Sequence, residues 1–443
     1  MPKPSQPRSP QSRSTQSRSP HKPQPKPAVP SKPVSPARAA AFEILLLVAA
    51  NKGNSDDLLH AAHTADLSPE DRNLATTLVM GTLRWQIALD ARIQTLLQRP
   101  DQSVAEPVAI ALRLGAFQLL HLDRIPAHAA LNESVELTRA SGNAHAAGMV
   151  NAILRNLTRQ KPAGTPLHES TAAFSQRLAH PQWLVERWVA SYGRAAAIKI
   201  CEVDQAEPAD SSLFPDQNDA LPHIDDGSRL VAELAAIAAP DAARIWDACA
   251  APGGKTLVLA HRHPTAEIIA SDVSPRRLAS MRRRLETVTN VHTELADATA
   301  PAQELDNFNL ILCDVPCSGT GTLARNPEIR LRLAPAEISR QAQRQQKILT
   351  TALNRLAPGG RLLYSTCSLE PEECEQVMEA VTSKPAIHKI ARVVPLGPLL
   401  EQLHANGIVS QALPTAIRGN FLRTLPGTHP GDGFFAALFE RTV

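Results

Sequence analysis

Cysteine is scarce in this 443-residue chain: Cys201, Cys249, Cys313, Cys317, Cys367 and Cys374 are the only six, and none falls in a Cys-x-x-Cys pair or in Cys/His spacing. So few thiols exclude a disulfide framework and give no sign of zinc, which points to a metal-free protein of a reducing cytoplasm. Also missing is any run of about 18 uncharged apolar residues, so no helical membrane span is expected. The start of the chain lacks the apolar core, roughly 7–15 residues long, of a secretory signal. Acidic residues are absent from positions 1–36, which hold seven Lys/Arg and eleven of the 37 prolines. That segment reads as a disordered, basic, Pro/Ser-rich tail, suited either to loose attraction to nucleic acid phosphates or to solubilising the rest. The remainder has 39 basic and 43 acidic residues, so any basic surface on the body must be local.

At about 100–200 residues per domain, the length implies two domains beside the tail. Residues 37–160 are rich in Ala, Leu, Ile and Val at helical spacing, as in Ala109-Ile110-Ala111-Leu112-Arg113-Leu114, and predict an all-α domain. Within it, Ser68-Pro69-Glu70-Asp71 predicts an N-cap, a proline at the first helical position and an acidic first turn, opening a helix that runs toward Leu83. Residues 161–228 contain a Pro/Gly/Thr-rich loop, a short helical section near Trp183 and a polar, acidic stretch, and read as a linker or a reduced subdomain. From residue 229 to 443, β-like runs at 244–247, 267–271, 309–313 and 361–364 alternate with helical text, the order of a doubly wound, mostly parallel sheet.

The first β-like run ends in Asp247 and leads into Cys249-Ala250-Ala251-Pro252-Gly253-Gly254-Lys255. A glycine turn between strand and helix lets backbone approach a ligand closely and offers it the N–H groups of a helix start. A P-loop would need Gly where Cys249 stands, and the dinucleotide G-x-G-x-x-G pattern is not there. Asp272 follows Gly253 by nineteen residues at the end of the next run, where a carboxylate can accept from ribose hydroxyls. Asp297, near the end of the following segment, suits the amino group of adenine. Together these acids around one turn favour S-adenosylmethionine as cofactor.

Two further turns follow β-like runs: Asp314-Val315-Pro316-Cys317-Ser318-Gly319-Thr320-Gly321 and Ser365-Thr366-Cys367-Ser368. Carbon 5 of cytosine is a poor nucleophile, and a thiolate adding at carbon 6 is the addition that activates it. Such a thiol needs partial activation, and the helix start expected at Glu370-Pro371-Glu372-Glu373 would favour the anion at Cys367. Asp314 is placed for the cytosine N3/N4 edge, and Cys317 for release of the product. Cys201, Cys313 and Cys374 read as small buried hydrophobes, and Cys249 as lining of the cofactor turn.

On these motifs the chain resembles, over roughly residues 37–443, the bacterial RNA cytosine-C5 methyltransferases, in particular the small-subunit ribosomal RNA methyltransferase B type. The segments Asn132-Glu133-Ser134-Val135 and Val150-Asn151-Ala152-Ile153 are similar to the antitermination factor NusB, which heads that type. The resemblance implies a Rossmann-like S-adenosylmethionine-dependent domain with a mostly parallel seven-stranded sheet, preceded by an all-α NusB-like domain that helps dock RNA. It implies Cys367 as nucleophile, Cys317 in product release, and a donor site over Cys249 to Lys255 with Asp272, Asp297 and Asp314. The implied partner is small-subunit ribosomal RNA, met by a monomer, with cytosine 967 as the family's usual target.

Three departures stand out: Asp225-Asp226 where the family carries Gln-Asp, a short and acidic 161–228 region, and Leu331 in place of an aromatic. Arg325 and Arg330 are candidates for phosphate contact. Two other functions fit less of the pattern: a binding protein of ribosome assembly that has lost catalysis, and the same chemistry on transfer RNA.

Overall fold

The computed structural model describes residues 33–442, apart from 61–63, 65, 100–102, 161–168, 209–212, 216–220 and 222–223. The basic tail expected over 1–36 therefore lies outside the described residues, save its last four, as do parts of the 161–228 region.

Helices α1 (Pro36–Ala49), α2 (Ser55–Leu59), α3 (Pro69–Gln94), α4 (Glu106–His121), α5 (Ala127–Ala140) and α6 (Ala147–Leu157) come first. They bury one apolar core that includes Ile44, Leu78, Leu89, Leu114 and Leu154. The cap of α3 forms as its residues dictate: the Ser68 hydroxyl accepts from the Asp71 backbone N–H at 3.1 Å. The helix passes well beyond Leu83, to Gln94, and Gly81 within it is a packing position. A Cβ there would stand 1.9 Å from Cζ of Phe117, so the bare backbone is what admits the α4 aromatic ring.

The described part of 161–228 is helical, with α7 (Thr171–Arg177), α8 (Gln182–Tyr192) and α9 (Arg194–Val203). Phe174, Val185, Trp188 and Ile200 form a small core completed by Leu323, Leu369 and Leu425 from the C-terminal part. Its tie to that part is polar as well as apolar: Trp188 Nε1 donates to Glu370 at 3.0 Å, and Arg187 pairs with Glu370 and Glu372 at 2.6 Å each.

The α/β part runs α10 (Asp226–Ala238), β1 (Arg244–Asp247), α11 (Gly254–Arg262), β2 (Glu267–Asp272), α12 (Pro275–Arg284), β3 (Val291–Leu295), β4 (Phe308–Asp314), α13 (Ile329–Arg332), α14 (Pro335–Asn354) and β5 (Leu356–Thr366). After these come α15 (Glu375–Thr382), α16 (Pro385–His388), β6 (Ala391–Val394), α17 (Gly397–Ala405), β7 (Ile417–Arg418), β8 (Phe421–Arg423) and β9 (Phe435–Arg441). Strands β3-β2-β1-β4-β5 are parallel, and β9 pairs antiparallel with β5. Beyond β9, β6 and β8 share one place, and β7 adds a two-residue fringe, so among the described residues nine strands occupy a sheet expected to have seven. β5 begins earlier than its apolar run, since a register irregularity between Phe308 and Leu310 of the neighbouring strand carries it through Pro358-Gly359-Gly360.

The central strands are buried on both faces, with Ile245, Trp246, Leu310, Ile311, Leu362 and Leu363 inaccessible to solvent, which explains their continuous apolar runs. The chain winds outward from β1 to β3, then returns to lay β4 on the other side of β1. At that switch point the helices diverge to opposite faces, and a crevice opens at the carboxyl ends of the strands.

Candidate active site

All three sequence motifs meet in this crevice. A cavity of about 220 Å³ is lined by Cys249, Ala250, Ala251, Pro252, Gly254, Lys255 and Asp314, together with Ser228 and Asp247. A second, of about 250 Å³, shares Cys249, Ala251 and Asp314 with the first and adds Asp272, Cys317 and Cys367. Gly253 lines neither: its φ of +93° and the closeness of Met281, 3.0 Å from a Cβ built there, give it the task of turning the chain against α12. Asp297 lines neither as well. It is exposed, and its Oδ1 accepts from the Thr299 N–H and hydroxyl at 2.9 and 2.8 Å, which holds its carboxyl below the usual range; its neighbours Ala296 and Ala298 face the cavity instead.

Asp314, the last residue of β4, is held from two sides. Its Oδ2 meets Lys255 Nζ at 2.7 Å, and its Oδ1 accepts from the Ser365 hydroxyl at 2.8 Å. Lys255 also donates to Ser228 Oγ at 3.1 Å. Burial pulls the Lys255 ammonium toward its neutral form, but Asp314 outweighs it and raises the pKa, so the charge stays.

Cys317 and Cys367 stand at the carboxyl ends of β4 and β5 with their sulfurs 3.4 Å apart, both half-buried. Gly321 makes that approach possible. Its N–H donates to the Cys367 carbonyl at 2.9 Å and its carbonyl accepts from Gly433, and a Cβ at Gly321 would lie 2.1 Å from the Gly433 oxygen. Behind the sulfurs, the buried carboxylate of Glu373 accepts from the Ser318 backbone N–H at 2.8 Å, from the hydroxyls of Ser318 and Ser368, and from Gln345 Nε2 at 3.2 Å. One carboxylate thus joins the two residues that follow the two cysteines.

The helix start expected beside Cys367 is a single 3-10 turn, Pro371–Glu373, and α15 opens only at Glu375. The expected α-helical N-terminus therefore does not form at Glu370, and the thiol is pushed well above its usual pKa. The hydrogen bond with Cys317 is the largest cause, followed by burial and by the charges of Cys317 and Asp314, while Lys255 acts in the opposite sense. Cys201, Cys313 and Cys374 are buried as expected.

Arg330 is not a phosphate ligand. It is 2 % exposed, and its two terminal nitrogens donate to the carbonyls of Arg84, Ala179, Asp204 and Leu323 at 3.2–3.3 Å, knitting the segment after Cys317 to both helical units. Arg325 pairs with Asp432 at 3.2 Å and is partly exposed. Leu331 packs against the core of the first six helices, where an apolar residue suffices.

The family described as 16S rRNA methyltransferase RsmB/F matches residues 235–440, and the NusB family matches residues 35–159. The ribosomal RNA small subunit methyltransferase B of Xanthomonas campestris is 32% identical over 443 aligned positions, which take in 91% of this chain and 96% of that protein. The chain belongs to the ribosomal RNA small subunit methyltransferase B family. A second relative, the probable ribosomal RNA small subunit methyltransferase B of Bacillus subtilis, is 30% identical, covering 77% of this chain and 87% of its own length. The crystal structure of PH0851 shares the fold, with a TM-score of 0.68 at 19% identity over 93% of this chain and all of that one.

As a member of the methyltransferase B family, the chain is an S-adenosylmethionine-dependent methyltransferase of small-subunit ribosomal RNA. The residues in the crevice fit that donor. Asp247 accepts from the Thr256 hydroxyl at 2.7 Å through Oδ2, while its buried Oδ1 has no partner, an open acceptor for an ammonium group. Burial, helped by the charges of Asp314 and Asp272, pushes this carboxyl up to about 7, against the Thr256 bond and the Lys255 ammonium. Val273 stands 47% exposed beside Asp272, an apolar face for a purine next to an acceptor for a ribose. Asp247 was within reach of sequence reading, as the acid that ends a strand before a glycine turn. Ser228, Ser365 and Glu373 were not, because each acts through a partner far away in the chain.

Proposed function

We propose that this methyltransferase acts on carbon 5 of a cytosine in small-subunit ribosomal RNA, cytosine 967 being the family's usual target, through a transient bond from Cys367 to carbon 6. The observation that carries the reading is the pair of sulfurs 3.4 Å apart in one cavity with Asp314 and Asp272. The helical part over 37–160 docks RNA, residues 229–443 carry the chemistry, and a single chain suffices for both, in the cytoplasm.

The target base must leave its stack to reach a thiol at a strand end. Asp314, fixed by Lys255 and Ser365, meets the base edge at N3/N4 and aligns carbon 6 with the Cys367 sulfur. The Lys255 ammonium lowers the cost of the Cys367 thiolate, which forms as the proton passes to water in the cavity. Addition of sulfur to carbon 6 moves electron density onto carbon 5. The bound donor supplies an electrophilic methyl carbon there. Cys317, having passed its own thiol proton to water, then takes the carbon 5 proton as a thiolate, directly or through a water, and the electrons of that carbon–hydrogen bond re-form the ring double bond as the carbon–sulfur bond breaks and Cys367 leaves as thiolate.

Two substitutions test this on small-subunit RNA with labelled donor. Cys367→Ala should abolish methyl incorporation, and Cys317→Ala should stall as a protein–RNA adduct visible on a denaturing gel. Normal turnover by both variants would end the reading. Bisulfite sequencing of ribosomal RNA from cells with and without the protein identifies the nucleotide.

A further inference from the structure

The body of the chain is near neutral, yet α12 gathers five arginines in ten residues: Arg276, Arg277, Arg282, Arg283 and Arg284, with no acid among them. All five are exposed. At about 100° per residue, Leu278 and Met281 form the buried stripe, Arg276 and Arg283 point directly away from it, and Arg277, Arg282 and Arg284 lie on its flanks. Arg277 is engaged with Asp272 and with the Ala251 carbonyl, and Arg282 with the Thr293 hydroxyl. Among the described residues, Arg276, Arg283 and Arg284 have no ion-pair or hydrogen-bond partner. Acids four positions from these bases would stabilise the helix, and like charges destabilise it; this helix carries a single sign of charge.

The ridge is continuous with the active site. Arg277 lines the cavity that holds Cys317 and Cys367, and Arg284 lines the one that holds Lys255 and Asp247. From these two residues the positive surface extends to Arg276 and Arg283, one helical rotation-pair apart at about 10 Å, a spacing that lets separate phosphates be met at once. Charge of one sign beside the mouth of a site whose substrate is a polyanion has a direct complement.

We propose that the outer face of α12 is a docking ridge for the phosphate backbone of the ribosomal RNA substrate, with Arg276 and Arg283 as its free contacts. It supplies, on the methyltransferase part itself, basic surface that the acidic region before α10 does not. The inference rests on the ribosomal RNA substrate alone and is independent of which base or atom is methylated.

The test uses the full chain and a small-subunit ribosomal RNA transcript. Arg276→Gln with Arg283→Gln should weaken binding roughly tenfold at 0.1 M salt and reduce the slope of log affinity against log salt by about 1.4–1.8, two phosphate contacts' worth. Methyl transfer at saturating RNA should stay at the parental rate while the KM for RNA rises, because neither side chain lines a cavity. Arg392→Gln, on β6 at the opposite edge of the sheet, should leave the slope unchanged. An unaltered slope in the double variant, or an equal loss in Arg392→Gln, would overturn the proposal. So would binding of anionic phospholipid vesicles that the double variant loses while its RNA affinity holds.

Discussion

The Cys367 thiol rests in its protonated form because its partners are a second sulfur and a carboxylate, both of which oppose a negative charge, with one ammonium opposing them in turn. Since the attacking species is the thiolate and its pKa is raised, the anion is a small fraction at neutral pH and grows about tenfold per pH unit until the raised pKa is passed. Adduct formation in a single turnover should therefore climb from pH 7 through pH 8.5 without levelling. Removing the Cys317 sulfur removes the largest cause of the shift, so in Cys317→Ala the same limb should move to lower pH. Rates of adduct appearance on a quenched-flow gel series check this, and an unmoved limb would mean that another group controls the step. What could be read at this scale from sequence alone was the position of each acid and thiol, because a strand's end is marked where its apolar run stops. The direction of the Cys367 shift was hidden, since it depends on a sulfur 50 positions away and on a helix that starts at Glu375 instead of Glu370.

Among the elements, the two thiol-bearing turns are coupled by a side chain belonging to neither strand. Glu373 accepts four hydrogen bonds from groups that converge on it, and an amide in its place would turn donors toward donors. Glu373→Gln should cost about 2–3 kcal/mol of stability, read from the denaturation midpoint, through the buried donors left without acceptors. A purely structural loss would stop there. Loosened turns should also slow disulfide formation between Cys317 and Cys367 under oxidised glutathione and lower kcat while the KM for the methyl donor holds. That the sheet is doubly wound and mostly parallel was legible because alternating helical and apolar text leaves few ways to wind a sheet; its strand order was not. Nor was the role of Gly81 within α3, explained only by the Phe117 ring lying over it, a contact between two helices. Asp297 illustrates the converse: it was expected near the end of the segment after Asp272, the strand β3 that precedes it was not among the β-like runs, and the turn around Thr299 faces it outward, which no spacing rule records.

On the scale of the whole molecule, the segment between Cys317 and α14 is the junction of all its parts. Glu328 accepts from the Ser55 N–H and hydroxyl at 2.9 Å each, Arg332 donates to the Val48 and Gly53 carbonyls, and Arg84 from α3 donates to the Ala324 carbonyl. Burial pushes the Arg330 guanidinium down to about 10, yet the four carbonyls around it have no other use for it than cohesion. Arg330→Met keeps the apolar stem and abandons those carbonyls, and should cost roughly 3 kcal/mol or more. The loss should register as separate melting of the helical and α/β parts by calorimetry, with RNA methylation falling in parallel. In sequence, Arg330 reads as a surface charge beside other charges, and only the convergence of three distant segments shows otherwise.

Glu328, Arg330 and Arg332 all reach back to helices that leave the ribosome earlier than they do, and domains form in the order of their synthesis. The reactive turn is thus cast late, against a mould already set. The contacts that bring its sulfurs together wait on Glu373 and Gly433, made later still, so competence to modify RNA arrives after the surface expected to grasp it.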